Sequence, residues 1–307
     1  MKDLVLYWSN ICILKRFEND LIEEAKTELK NYDINLIVRF FGIGHDYHMA
    51  EYMRIDSTIP DVIVSTDLEV FENPIIWNRI EPELEIVNTL YPHKNSLPPY
   101  LNWSPKLLTY LVIPLVFSYN KMDFFTEREA SLNYIVKNNI SLAYGGINNS
   151  GAKCIIKLVQ DKYGEKVARN FIKNSTITNM PIEAFHKTRT LEVPVSLVPA
   201  IYALRADNEN LFIEYPKDGA AALPSYIAVK KGALPIAKPL LDFLMNKKIL
   251  NVYVNSGILY SPIEGVEDHS YLKDNNFRFQ SVNPNWLWTK EAEQFYNIYK
   301  ELVEKNK

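Results

Sequence analysis

The chain has 307 residues, 47% of them hydrophobic, which is enough for a large core and for about two domains. Lysine plus arginine (34) nearly balances aspartate plus glutamate (37), and the net charge of -3 excludes the basic footprint that a nucleic-acid backbone requires. No uninterrupted apolar segment approaches the roughly 18 residues of a membrane-spanning helix. Cys12 and Cys154 lie too far apart in sequence for metal spacing or a disulfide framework, and their apolar neighbours predict buried free thiols.

Residues 4–8 are continuously apolar, the pattern of a parallel strand buried on both faces. Ser9 and Asn10 end it. Leu14, Phe17, Leu21, Ile22, Ala25 and Leu29 then repeat close to every 3.6 residues, which predicts a helix. A second strand spans 34–41 and ends at Gly42-Ile43-Gly44. Residues 45–54 read as a helix. A third strand, 61–64, ends at Ser65-Thr66-Asp67. Strand–helix–strand order of this kind implies right-handed crossovers and a parallel sheet, and ligands of such sheets bind at the carboxyl ends of the strands. A proline-rich stretch follows, with Pro92, Pro98, Pro99 and Pro105 around Trp103. Residues 110–119 form a long strand interrupted by Pro114. Loss of a ladder hydrogen bond there predicts a bend, and a first crossing between two domains.

The second domain is expected to contain helix 127–138, strand 140–143, helices 153–162, 165–173 and 181–188, and strand 193–198. Its notable stretch is Gly145-Gly146-Ile147-Asn148-Asn149-Ser150-Gly151. Glycine allows positive φ and close ligand approach, and Asn148, Asn149 and Ser150 are good N-cap residues that also carry donors. It matches neither GxxxxGK[ST] nor GxGxxG, so a plain capped helix and an anion- or polar-ligand loop both remain open. Strand 211–215, the turn Pro216-Lys217-Asp218-Gly219, strand 225–229 and helix 235–245 come next. After a less legible stretch, 289–304 reads as a final helix. No catalytic constellation emerges: Ser150 has no histidine or acid at a readable spacing, and His186 and His269 are isolated.

Five motifs in order carry a resemblance. They are Asp61-Val62-Ile63-Val64-Ser65-Thr66-Asp67; Ile113-Pro114-Leu115-Val116-Phe117-Ser118-Tyr119-Asn120-Lys121; Asn149-Ser150-Gly151; Tyr215 to Gly219 with Leu223 to Ala233; and Ala237 to Leu244. Together, over residues 3–246, they resemble type II periplasmic-binding proteins, in particular solute-binding proteins of the ferric-iron, aminoethylphosphonate and polyamine transporter group. The resemblance implies an α/β fold of two lobes, each a central mixed, mainly parallel sheet flanked by helices. Lobe 1 is expected at 1–112 plus 226–307 and lobe 2 at 113–225, joined by β-strand hinges near 113–119 and 215–226. It implies a non-enzymatic protein that closes its lobes on a small polar or anionic ligand, as the substrate-binding component of an ABC-type importer. No cofactor is expected. The expected partners are that ligand and a permease, and the chain is expected to be monomeric. With no leader in the sequence as given the chain is placed in the cytoplasm, and outside it if a leader has been trimmed.

The candidate ligand contacts implied are Ser9, Asn10, His45, Ser65, Thr66, Asp67, Asn148, Asn149, Ser150, Gly151 and Tyr202. For the small polar residues, helix capping is the competing account. His45 and His48 on one helical turn invite a metal reading, with His48 better explained as a surface helix terminus. Trp103 is a further cleft candidate. Iron-binding members carry adjacent tyrosines after the strand that precedes Tyr202. This chain has Ala200-Ile201-Tyr202-Ala203 and no Tyr-Tyr pair, which leaves a ferric ion short of anionic oxygens. A metal site built from His45, Tyr202 and Asp67 is one alternative. An intracellular sensor or an enzyme on the same fold is the other.

Overall fold

A computed structural model describes residues 1–42, 44–95, 97–120, 129–145, 150–207, 209–292, 294, 295, 299 and 301. The first apolar run forms β1 (Lys2–Ser9), in which Leu4, Leu6 and Trp8 are fully buried. A short 3-10 turn at Cys12–Leu14 leads into α1 (Lys15–Lys30), whose stripe of Leu21, Ile22, Ala25 and Leu29 faces the core. The helix therefore starts later than the periodicity suggests. β2 (Ile34–Phe41) follows, then α2 (Met49–Ile55) and β3 (Val62–Ser65). Two short helices, α3 (Glu69–Glu72) and α4 (Pro74–Ile80), precede β4 (Leu108–Tyr119).

Beyond β4 come α5 (Leu132–Lys137), β5 (Leu142–Gly145), α6 (Ser150–Tyr163), α7 (Glu165–Asn174), β6 (Thr176–Thr178), α8 (Pro181–Arg189) and β7 (Val195–Pro199). The chain continues through β8 (Phe212–Glu214), β9 (Ala220–Val229), α9 (Leu234–Leu244), α10 (Lys247–Gly257), α11 (Ser270–Asp274) and β10 (Phe279–Gln280). The expected helix at 127–138 falls partly outside the described residues, as does half of the expected helix at 289–304.

The chain divides into two units. Unit 1 comprises residues 1–112 and 224–268, and unit 2 comprises 113–223 and 269–307. In unit 1, β1 pairs in parallel with β2 and β3, and β3 pairs antiparallel with the 226–229 part of β9. In unit 2, β5 pairs in parallel with β6 and β7, and β7 pairs antiparallel with β4. Each unit is thus an α/β structure on a mixed, mainly parallel sheet. The sequence reading gives residues 269–307 to the first lobe, whereas here they group with unit 2. The reason is backbone pairing: β10 joins Ala220 and Ala221 of β9, and the Asn283 N–H donates to Asp161 Oδ2 at 2.9 Å. A two-residue strand leaves no periodicity to read.

β4 and β9 each pass from one unit to the other. β4 does not break at Pro114; all twelve of its residues are buried in one strand. What changes there is the partner. Val112 exchanges two backbone hydrogen bonds with Tyr260 in unit 1, and Leu115 onward pairs with β7 in unit 2. A residue without an N–H is tolerated at such an exchange.

Both cysteines are free: Cys12 is half-buried in unit 1 and Cys154 buried in unit 2. Burial pushes the thiols up to about 11 for Cys12 and about 12 for Cys154.

Candidate functional site

At the carboxyl edge of the unit 1 sheet, parallel pairing sets Ser9 opposite Phe41 and Trp8 opposite Val64. The loops after β1, β2 and β3 therefore leave the sheet side by side. Asn10 is the centre of this edge. Its Nδ2 donates to Glu18 Oε2 at 3.2 Å, and its Oδ1 lies 3.3 Å from His45 Nε2. His45 stacks on Phe40, with ring centroids 5.8 Å apart and planes 14° apart. Partial burial, then the charge of Lys15, holds its imidazole below the usual histidine range, while Asp46 pulls the other way. Lys15 arrives from the first turn of α1. A β-carbon at Gly44 would come within 2.9 Å of its Nζ, and Gly44 itself sits at φ +80°, where glycine is favoured. His45 also lines a cavity of about 270 Å³ with Arg39, Phe40, Asp46, Tyr47 and Tyr52.

The structure changes the histidine reading. His45 and His48 do not share a helical turn, because α2 begins at Met49 and His48 is its extended N-cap residue. The β3 edge is built for support. Ser65 is fully buried, and its Oγ accepts the Asp67 N–H at 2.9 Å. Asp67 Oδ2 accepts the N–H of Ala50, the second residue of α2, at 3.1 Å, so Asp67 caps that helix across 17 residues. Its Oδ1 is buried with no hydrogen-bond partner among the described residues. Thr66 is nearly buried. The capping account thus has direct support at Ser65 and Asp67, whereas Asn10 and His45 present polar groups to each other across two loops.

Sequence reasoning missed Glu18, Lys15 and Tyr253. Glu18 is completely buried. Its Oε2 accepts the Ile11 N–H at 2.7 Å as well as Asn10 Nδ2, and its Oε1 lies 3.1 Å from the Tyr253 hydroxyl. Burial pushes the carboxyl up to about 8, although these hydrogen bonds oppose the shift. One signal was present in the sequence: position 18 falls four residues after Leu14 and three before Leu21, on the apolar stripe of the helix. A carboxylate on a buried stripe needs partners.

In unit 2, the stretch after β5 is described only at its ends. Asn148 and Asn149, both candidate contacts, and Gly146 lie outside the described residues. Gly145 does not take positive φ. It is required by close approach instead, since a β-carbon there would fall 2.2 Å from the Pro181 nitrogen. Ser150 opens α6 and is nearly buried; Gly151 follows at intermediate exposure. Tyr202 is buried in the 3-10 turn Ala200–Arg205. Its ring packs 4.8 Å from Phe185 and carries the Arg205 guanidinium over one face at 5.1 Å. A second cavity, about 240 Å³, lies among Ile135, Asn139, Val167, Asn170 and Phe171. Asn139 precedes β5, so this cavity belongs to the amino end of the strand, away from the edge where ligands of such sheets bind. Trp103 packs edge-on against Trp77 in unit 1, at 5.2 Å between ring centroids. Among the described residues, no group of three or more His, Cys, Asp or Glu is arranged to hold a metal ion.

The chain belongs to the bacterial extracellular solute-binding protein family, whose model matches residues 57–283. Its fold is that of the type II periplasmic-binding proteins. Iron-bound HitA from Pseudomonas aeruginosa superposes with a TM-score of 0.70 at 13% identity, covering 98% of this chain and 99% of its own. The apo ferric ion-binding protein A of Pasteurella haemolytica gives 0.70 at 14%, covering 100% and 98%. The ferric binding protein of Campylobacter jejuni gives 0.71 at 13%, covering 97% and 99%. At these identities the likeness is one of fold. No curated protein matches the chain in sequence.

Proposed function

We propose that this protein is the substrate-binding component of an ABC-type importer and that it closes its two units on a small polar or anionic ligand. The observation that carries the reading is the Asn10–His45 pair at the carboxyl edge of unit 1, in a member of an extracellular solute-binding family. Ser9, Lys15 and the 270 Å³ cavity extend that edge. On the unit 2 side, Ser150, Gly151 and the loop containing Asn148 and Asn149 are the proposed counterpart, with Tyr202 as a wall. The segments 113–119 and 215–226 serve as hinges, since β4 and β9 are where the chain crosses between units. Hinge closure stabilises a bound ligand when both lobes contribute contacts. The protein works without catalysis, as a monomer, outside the cytoplasm and with a membrane permease as partner. The family's extracellular character gives the cytoplasmic placement no support.

Thermal-shift screening against oxyanions, phosphonates, amino acids, polyamines and metal ions tests this. A ligand at a hundred times its Kd adds about 2.7 kcal/mol to stability by mass action. A specific hit should also compact the protein in small-angle scattering. A folded sample that no member of the panel stabilises counts against the reading.

A further inference from the structure

Glu18 is not among the ligand contacts proposed above, yet it is a completely enclosed carboxyl at that edge. We propose that Glu18 is a positioning residue: through the Asn10 carboxamide it holds His45 as the Nε2–H tautomer, so the imidazole meets the ligand with a bare Nδ1, a hydrogen-bond acceptor. The inference deepens the solute-binding reading and rests on it for the role of His45.

Glu18 Oε2 already accepts the Ile11 backbone N–H at 2.7 Å. A carboxamide carries hydrogens only on nitrogen, so Asn10 turns Nδ2 toward that oxygen, at 3.2 Å. Its Oδ1 then faces His45 Nε2 at 3.3 Å. A carbonyl oxygen only accepts, so Nε2 carries the hydrogen. A neutral imidazole has one N–H, and Nδ1 is left with its lone pair. Partial burial and Lys15 favour the neutral form of the ring.

The arrangement survives a change in the charge of Glu18. The Ile11 N–H fixes Oε2 as an acceptor, so an acid proton sits on Oε1 and is donated to the Tyr253 oxygen, 3.1 Å away. In the carboxylate form the Tyr253 hydroxyl donates instead. The other titratable groups that act on Glu18, Tyr110 and Cys12, are both held in their neutral forms by burial. Asn10 sees the same acceptor in either case. The ligand class follows: at this point the ligand offers a donor, such as a hydroxyl or an ammonium group. An oxyanion without hydrogens brings a lone pair to a lone pair there.

The test is two-bond hydrogen–nitrogen correlation NMR of the full chain, labelled with nitrogen-15. Five histidines make the spectrum tractable, and His45→Gln assigns the signal. Wild type should show a pyrrole-type Nε2 and a pyridine-type Nδ1 for His45. Glu18→Gln, which keeps an acceptor for Ile11 and Asn10, should give the same pattern. Asn10→Ala removes the link, leaves Glu18 its Ile11 and Tyr253 partners, and should pull both ring nitrogens toward tautomer-averaged shifts. A wild-type ring protonated on Nδ1, or a folded Asn10→Ala protein with unchanged shifts, overturns the proposal. In thermal shift, serine and spermidine serve as donor-bearing probes and sulfate as a donor-free one. A donor-bearing probe should need at least tenfold more concentration to stabilise Asn10→Ala than to stabilise Glu18→Gln or wild type. Stabilisation by sulfate alone overturns the ligand class. The ring-nitrogen readout needs no ligand. A panel without hits therefore sinks the transport reading and the ligand class, while the tautomer is decided independently.

Discussion

Each unit carries its chain from a buried strand toward a long helix, and the two strand ends are held in different ways. After β1 the turn is held by hydrogen bonds. Glu18 reaches back from α1 to the Ile11 N–H and the Asn10 side chain, and α10 contributes Tyr253. After β5 the visible constraint is steric: Gly145 lies so close to Met180 and Pro181 that no side chain fits. The polar turn can respond to protons, and its side chains stay available to neighbouring loops. The steric contact at Gly145 fixes backbone position through volume alone.

Gly145→Ala strains this contrast most. Its β-carbon would meet backbone atoms at 2.2–2.5 Å, and backbone cannot rotate aside. We expect a loss of about 4 kcal/mol or more, read by denaturant unfolding. A loss under about 1 kcal/mol would mean that the start of α8 yields readily and that the turn is not sterically held.

The next effect belongs to Glu18. Its folded value, about 8, lies above its ordinary 4.5, so the folded state binds the proton more tightly than the unfolded chain. The acid form's advantage is fully present below pH 4.5, is lost as pH rises through about 8, and then levels off. Subtracting the Glu18→Gln curve removes every other titrating group. The difference should fall by about 4 kcal/mol between about pH 5 and about pH 9. A flat difference curve would show that the carboxyl is ionised throughout.

Smaller effects separate capping from ligand contact. Asp67→Ala should cost about 1 kcal/mol through loss of the α2 cap, and Asp67→Asn less, because an amide oxygen still accepts from Ala50. Ser150→Ala should cost no more than about 1 kcal/mol in stability, yet weaken the ligand found by thermal shift by a larger factor. Equal binding by the variant would leave Ser150 a helix-start residue only.

Much of this was legible from sequence because it is periodic. The continuous apolar runs gave β1, β2 and β3 nearly to the residue, and 3.6-residue spacing located α1, α7, α8 and α9. Short elements were not legible: β6 and β10 have three and two residues, too few to repeat. α10 was missed because the exposed Val252 fills the gap between Leu250 and Tyr253-Val254 and blurs their helical spacing. The start of α2 was misplaced because Gly42 and Gly44 hold the loop in positive-φ conformations before the helix begins. At the site, loop residues such as Asn10 and His45 announce themselves by type. Glu18 does not, because its partners come from sequence separations of 7, 8 and 235 residues. Only its misplaced charge on an apolar stripe pointed to it.

One further consequence follows from the two cysteines. Each unit carries a single sulfhydryl, and burial holds both in the unreactive protonated form. The molecule therefore contains its own pair of reporters. At mildly alkaline pH, alkylation of the half-buried Cys12 should proceed without opening of unit 1, whereas alkylation of the buried Cys154 should wait on the opening of unit 2. Peptide mass mapping compares the two rates in the wild-type chain.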